Sequence, residues 1–436
     1  MKSNKSAISL CLSAILCNTL SGEVLNFSKA YGLALENANN IRSSVYAAEA
    51  EKEKINQEDS QLYPQINLSA SYKKTEYESN PTKDMTRQGL ITYSVTARQS
   101  IYNPEVLTRI EMQESRSKYS DVKVEYEKEA LAQELFKTYL DILKSHNKIK
   151  LLESYLEYNR SKLEELSKKF AMDLSNKMDL LQMRVEYNSA VIELDKEKKL
   201  LKVYDLKFKH YIGDIEYELP RIESDKIILE TIAQMREQVV GEQDLQKSLS
   251  VKQAQAAVEV SDAEVQNAKS GHLPKLTFDA AYNKYDTDTP TVDAAYNTVK
   301  YAMVSLNIPI YGGGYVSSKV DSSILMKKAA NEDLENAKKE VQVFYDEYLA
   351  VFEASSQSVT MYKDALVSAE LYLEAINQGY EYGLKSIIDL NDAKNKLNEV
   401  KYKYVENLYS LVDSYIGLLM VTNNFKELNL LDKLVE

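Results

Sequence analysis

The chain is poor in the residues that interrupt secondary structure, with 12 Gly and 7 Pro among 436 residues, well under ordinary usage. A domain of many short strands or βαβ units needs more of both, so long uninterrupted elements are expected instead. There is no Trp, and 8 Phe stand against 32 Tyr. The two cysteines, Cys11 and Cys17, both fall near the N-terminus, so the rest of the chain can form no disulfide and no thiolate metal site. Basic residues, 54 Lys and Arg, are outnumbered by 66 Asp and Glu. The formal net charge is −12, and it becomes −14 without Lys2 and Lys5, which disfavours nucleic acid as a partner. Past the N-terminal segment, no apolar run is long enough for a membrane-spanning helix.

Residues 1–22 read as an export signal. Lys2 and Lys5 make a basic start, Ala7 to Leu20 is mostly apolar, and Leu20-Ser21-Gly22 ends in small residues. The apolar run is short for a span of about 20 residues, so cleavage after Gly22 is expected rather than anchoring.

The chain matches itself at an offset of 210 residues. The stretch from Gln61 to Tyr72 lies over Gly271 to Tyr282, sharing Pro, Ala and Tyr, and Phe170 and Asp179 lie over Tyr380 and Asp389. Each copy reads helix, two strands, long helix, tip, helix. Strands are expected at 64–78 and 89–102 in a first repeat spanning 23–213. They are expected again at 274–286 and 299–311 in a second repeat spanning 229–421. Ile66, Leu68, Ala70 and Tyr72 alternate with polar residues, as do Leu276, Phe278, Ala280 and Tyr282. Residues 214–228 and 422–436 lack clear periodicity and are expected as a linker and a tail girdling the middle of the helical part.

From Glu105 to Ile212 there are 108 residues without Gly or Pro. Helices at Glu105 to Phe170 and Tyr315 to Tyr380, each flanked by two shorter ones such as Asn26 to Gln61 and Lys177 to Ile212, would make two three-helix strips. Four alternating strands cannot sit alone in a bilayer, because the sheet edges would leave backbone N–H and C=O groups unsatisfied. Closure must come from other subunits, and three chains would supply twelve strands, within the range of outer-membrane barrels.

No motif points to catalysis. Gly312-Gly313-Gly314 lacks the further Gly at position 317, where Ser317 stands, and no G-K-[ST] follows. It reads as a strand-to-helix redirection using glycine's backbone freedom. His146, His210 and His272 have no metal-ligand spacing around them. No cofactor, metal or enzymatic activity is expected. The second hairpin tip is distinctive: Tyr380, Lys385, Asp389 and Asp392 follow one another around Gly379 and Gly383. Asp389 and Asp392 share a helix face at i, i+3 and, in a trimer, would form two rings of three carboxylates favouring cations. The plainer alternative is a Lys385–Asp389 surface pair.

These residues resemble the TolC family of outer-membrane efflux and secretion ducts. The resemblance covers nearly the whole chain after the signal and rests on Ser270-Gly271-His272-Leu273-Pro274, Leu306 to Gly314, and Gly379 to Asp389. It implies a mainly α chain with a small β part. Three copies would build a 12-stranded transmembrane β-barrel in the outer membrane of a Gram-negative bacterium, continued by a long periplasmic α-helical barrel. It implies a homotrimer in outer-membrane lipid, serving a tripartite efflux pump or type I secretion system with a periplasmic adaptor and an inner-membrane transporter. It also implies a periplasmic gate at Asp179, Tyr380, Lys385, Asp389 and Asp392, with Lys385 where the family has Arg and hence without a bidentate fork. Adaptor docking falls on the tips, at Asp173, Leu174, Gly383 and Leu384, with Asp173 standing where the family's turn has Gly. The competing function, a surface-displayed trimeric coiled-coil adhesin, predicts neither repeated strand pairs nor an acidic tip.

Overall fold

A computed structural model describes residues 24–78, 85–220, 225–239, 244–287, 297–424 and 432; the expected export segment 1–22 lies outside them. In the first half the order is α1 (Phe27–Asn37), α2 (Asn39–Asp59), β1 (Gln65–Glu78), β2 (Met85–Tyr102), α3 (Pro104–Ala171) and α4 (Lys177–Ile212). After α5 (Asp225–Val239) come α6 (Leu249–Ser270), β3 (Lys275–Thr287), β4 (Thr298–Asn307), α7 (Tyr315–Glu381) and α8 (Ile387–Val421). The chain is mostly helical with a small strand part. Among the described residues no helix is long and apolar enough to cross a membrane.

The two long helices start differently. α3 opens on Pro104, whose missing N–H costs nothing in a first turn. α7 opens after Gly313 and Gly314, at φ 66° and 83°, a left-handed stretch that glycine takes without strain. With 68 residues α3 runs ~102 Å. α2 and α4 both lie along α3, α6 and α8 both lie along α7, and α3 also packs on α6 and α8. The strip therefore reads α2–α3–α6–α7 toward the strands and α4–α3–α8–α7 toward the tips. Its middle holds the main core, where Phe27 meets Tyr139 at 4.4 Å between ring centroids and Tyr139 meets Phe208 at 5.9 Å. The buried Tyr139 hydroxyl donates to the Leu25 carbonyl and the Tyr345 hydroxyl to that of Val239, both at 2.8 Å. Each aromatic thus buries its ring while its polar end keeps a partner.

The four strands form one antiparallel sheet in the order β1-β2-β3-β4. Their register lines up the alternating rows: Leu68 faces Val95, Val95 faces Tyr282, and Ala97 lies between Ile66 and Ala280. One sheet face is therefore apolar, and Ile66, Leu68 and Tyr72 on it are 71%, 78% and 62% exposed. The other carries Gln65, Asn67, Thr96 and Arg98, with Ser94 Oγ donating to Asn283 Oδ1 at 2.5 Å. Among the described residues, the outer edges of β1 and β4 have no strand partner.

Four elements differ from expectation, the first being β2, which begins at Met85 and not at 89. The helix expected from Asn26 to Gln61 breaks at Ala38 (φ −70°, ψ 97°), where the Asn37 amide donates to the carbonyls of Leu33 and Ile212. The last strand stops at Asn307 instead of Tyr311: Asn307 pairs with Lys275, the first residue of β3, and Pro309 beyond has no N–H to give. α5 begins at Asp225, inside the segment expected as a linker.

Candidate functional site

The hairpin tips repeat one local construction. At the first, the N–H of Leu174 reaches back to the Lys169 carbonyl at 2.8 Å, and Asp173 takes φ 60°. At the second, Leu384 reaches Gly379 at 2.8 Å, and Gly383 takes φ 72°. Such left-handed closures satisfy the last carbonyls of a helix. The next helix is then capped. The Asn176 side chain accepts from the Asp179 N–H at 2.8 Å, and Ser386 Oγ accepts from the Asp389 N–H at 3.1 Å. Asp179 and Asp389 thus hold the same third helical position, where a carboxylate meets the positive end of the helix dipole.

Around this frame the residues singled out in the sequence divide. Asp389 Oδ2 turns back to accept from the Ser386 N–H at 2.9 Å and its hydroxyl at 2.8 Å, completing a capping box. Those bonds hold its carboxyl below the usual range, with a smaller contribution from the nearby Lys385 charge. No ion pair joins Lys385 to Asp389 among the described residues. The stem of Lys385 lies instead over Gly379, its Cγ 2.8 Å from where a Cβ would stand. Asp392 is exposed one turn on.

Tyr380 is used inside its own chain. Its ring lies 5.2 Å from Lys162 Nζ and 5.5 Å from Lys169 Nζ, and both lysines pair with Glu165, at 2.8 and 2.6 Å. It also packs on the buried cluster of Leu166, Met183, Ile376, Ile387 and Leu390. The structure therefore brings Tyr380 to α3 and does not join it, or Lys385, to Asp179 within one chain. Sequence reasoning missed the Lys162–Glu165–Lys169 group, although its i, i+3 and i, i+4 spacing was visible.

Two further features set the tips and the helices above them apart. The tips are apolar beyond Leu174 and Leu384: Met172, Met178 and Tyr382 are 61%, 75% and 81% exposed. Above them lies a buried polar layer. Asn159 is fully buried beside the Tyr155 hydroxyl, with no hydrogen bond of good geometry to its amide, and the Tyr158 hydroxyl is unpartnered, its pKa pushed up to about 12 by burial. Beside it the Tyr155 hydroxyl donates to Asn395 Oδ1 at 2.6 Å, tying α3 to α8. No group of three or more His, Cys, Asp or Glu able to hold a metal occurs among the described residues.

The family model described as outer membrane efflux protein matches residues 30–201 and 240–424. The outer membrane protein TolC of Vibrio cholerae serotype O1 is 25% identical, over 98% of this chain and 98% of that protein. The outer membrane protein TolC of Escherichia coli is 23% identical, over 93% of this chain and 84% of that protein. Among solved structures, CusC superposes with a TM-score of 0.79 at 14% identity, covering 92% of this chain and 93% of its own. The outer membrane protein VceC of Vibrio cholerae superposes at 0.77 with 13% identity, covering 91% of this chain and 95% of its own. At such identities the structural likeness concerns the fold.

Proposed function

This chain belongs to the outer membrane efflux protein family and is an outer-membrane exit duct, and from that premise we propose how it is assembled and gated. Three copies close side by side into a 12-stranded barrel in the membrane and a helical barrel in the periplasm. The observation that carries this reading is that both layers are open on the same two sides. β1 and α2 bound one side of the strip and β4 and α7 the other. Both sides bear exposed apolar residues, such as Leu181, Val185 and Ile192 on α4 and Phe344, Val351 and Leu371 on α7. A strip whose two sides differ joins head to tail, and such a contact either closes into a ring or runs on as a filament. In a bilayer only the ring leaves no sheet edge bare.

The duct conducts passively and performs no chemistry on its cargo. An inner-membrane transporter supplies the energy, in a tripartite efflux pump or a type I secretion system. A periplasmic adaptor grips the tips around Asp173, Leu174, Gly383 and Leu384, where Met172, Met178 and Tyr382 add apolar surface. The gate comprises Asp179, Tyr380, Lys385, Asp389 and Asp392. Asp179 and Lys385 form no ion pair within their own chain among the described residues, which leaves both available to a neighbouring subunit. Tyr380 is braced from behind by Lys162 and Lys169.

The test is conductance in planar bilayers. Tyr380→Phe with Lys385→Ser should raise single-channel conductance by loosening the latch. Asp392→Asn, which spares the helix cap that Asp389 completes, should reduce cation selectivity. Unchanged conductance in the first and unchanged selectivity in the second would place the gate elsewhere.

A further inference from the structure

The inward face of the sheet carries a charged collar. In β2, residues alternate so that Ile91, Tyr93, Val95 and Ala97 join the apolar face, and Thr92, Ser94, Thr96 and Arg98 the opposite one. The same parity in β3 and β4 puts Thr277, Asp279, Ala281 and Asn283 beside Tyr301, Met303 and Ser305. With the apolar face turned to lipid, the second face lines the lumen. It is mostly uncharged. Among the described residues its charged side chains are Lys73 toward the outer end, Lys275, which is bound to Glu105 at the helical end, and the cross-strand pair Arg98–Asp279.

That pair is asymmetric. Arg98 Nε donates to Asp279 Oδ1 at 2.6 Å, and Thr277 Oγ donates to Asp279 Oδ2 at 3.2 Å. The Asp279 side chain is 16% exposed and that of Arg98 74%. The carboxylate is therefore mostly covered, with one bond to each oxygen, while the guanidinium is held by one nitrogen and, among the described residues, its two terminal NH2 groups have no hydrogen-bond partner. A guanidinium fixed at Nε and open at both Nη atoms presents the fork that takes a carboxylate or phosphate by two parallel hydrogen bonds.

We propose that Arg98 is an anion-contacting residue of the barrel lumen, oriented by Asp279, and that it meets carboxylate or phosphate groups on cargo as they leave the helical barrel. The inference rests on the duct reading above. In the closed trimer it makes a ring of three guanidinium groups on the lumen wall at the level of Gln65 and Met303. This ring lies in the strand layer, away from the acidic tips, and with three Asp279 carboxylates behind it the collar is neutral overall while the exposed groups are the guanidiniums.

The test is the reversal potential under a potassium chloride gradient, read on the same channels as their conductance. At low ionic strength, where the Debye length is ~30 Å at 0.01 M, Arg98→Gln should shift selectivity toward potassium and Asp279→Asn toward chloride. Both shifts should vanish near 1 M, where the length is ~3 Å. Tripolyphosphate added on the outer side should lower the conductance of the unaltered channel and of Arg98→Lys more than that of Arg98→Gln. Normal conductance with no shift in either variant and equal response to tripolyphosphate would overturn the role of Arg98 and leave the duct intact. Absence of any channel from the unaltered protein would instead overturn the duct reading, and the collar with it.

Discussion

Asp173 and Gly383, 210 positions apart in the sequence, hold the same left-handed backbone position at the two hairpin tips, with φ of 60° and 72°. The duplication thus preserves a conformation while changing the residue that bears it. A left-handed conformation costs an ordinary L-residue ~1–2 kcal/mol, and Asp somewhat less. Asp173→Gly should therefore stabilise the fold by a few tenths to ~1 kcal/mol, and Gly383→Ala should destabilise it by ~1 kcal/mol. Thermal melts of the two variants in one detergent check the opposite signs.

Asn159 is fully buried, its amide making no hydrogen bond of good geometry although the Tyr155 hydroxyl lies beside it. An orphaned buried polar group costs ~1–3 kcal/mol, and a buried Asn in packed helices is best understood as a device that fixes register. Asn159→Leu should raise the melting temperature while loosening the register between α3 and its neighbours. A lower melting temperature would show that the amide is satisfied in the assembled duct.

Glu129 provides a pH dependence. Burial pushes its carboxyl up to about 7, and its Oε2 has no partner. The unfolded chain would bind that proton only below about 4.3. The folded state thus holds the proton more tightly, so the contribution of this group to stability is greatest below about pH 4.3, falls as pH rises to about 7, and is level above that. Glu129→Gln should flatten this window in unfolding curves recorded between pH 4.5 and 7.5. An unchanged slope would assign the dependence to other groups.

The cap at Ser386 gives a complementary case. Ser386→Ala should cost ~1 kcal/mol, as at other helix N-caps. Because Asp389 has a depressed carboxyl, its share of the cap is present above the unfolded value near 3.9 and is lost as pH falls through the lower folded value. The difference between the variant and the unaltered chain should therefore shrink in acid, which melts between pH 2 and 5 would reveal.

What the sequence made legible was whatever is encoded at short range. The period-two rows from Ile66 to Tyr72 and Leu276 to Tyr282 specify strands because each side chain's face follows from its own position. The run without Gly or Pro from Glu105 to Ile212 allows helix throughout, interrupted only at the tip. What stayed hidden depends on contacts between distant segments. The break at Ala38 follows from an Asn37 bond to Ile212, and the end of β4 from where β3 begins. At the tip, Tyr380, Lys385 and the acids were visible as a group, but the engagement of Tyr380 by Lys162 and Lys169 links residues more than 200 apart. The capping role of Asp389 was encoded locally, as Ser386 three residues before it.

Three copies are expected to close the duct, since among the described residues the four strands leave β1 and β4 without outer partners. Light scattering on detergent-solubilised protein, corrected for bound detergent, measures that number most directly. A protein mass of three chains, with full strand content by circular dichroism, is the predicted result. A stable single chain with the same strand content would contradict it.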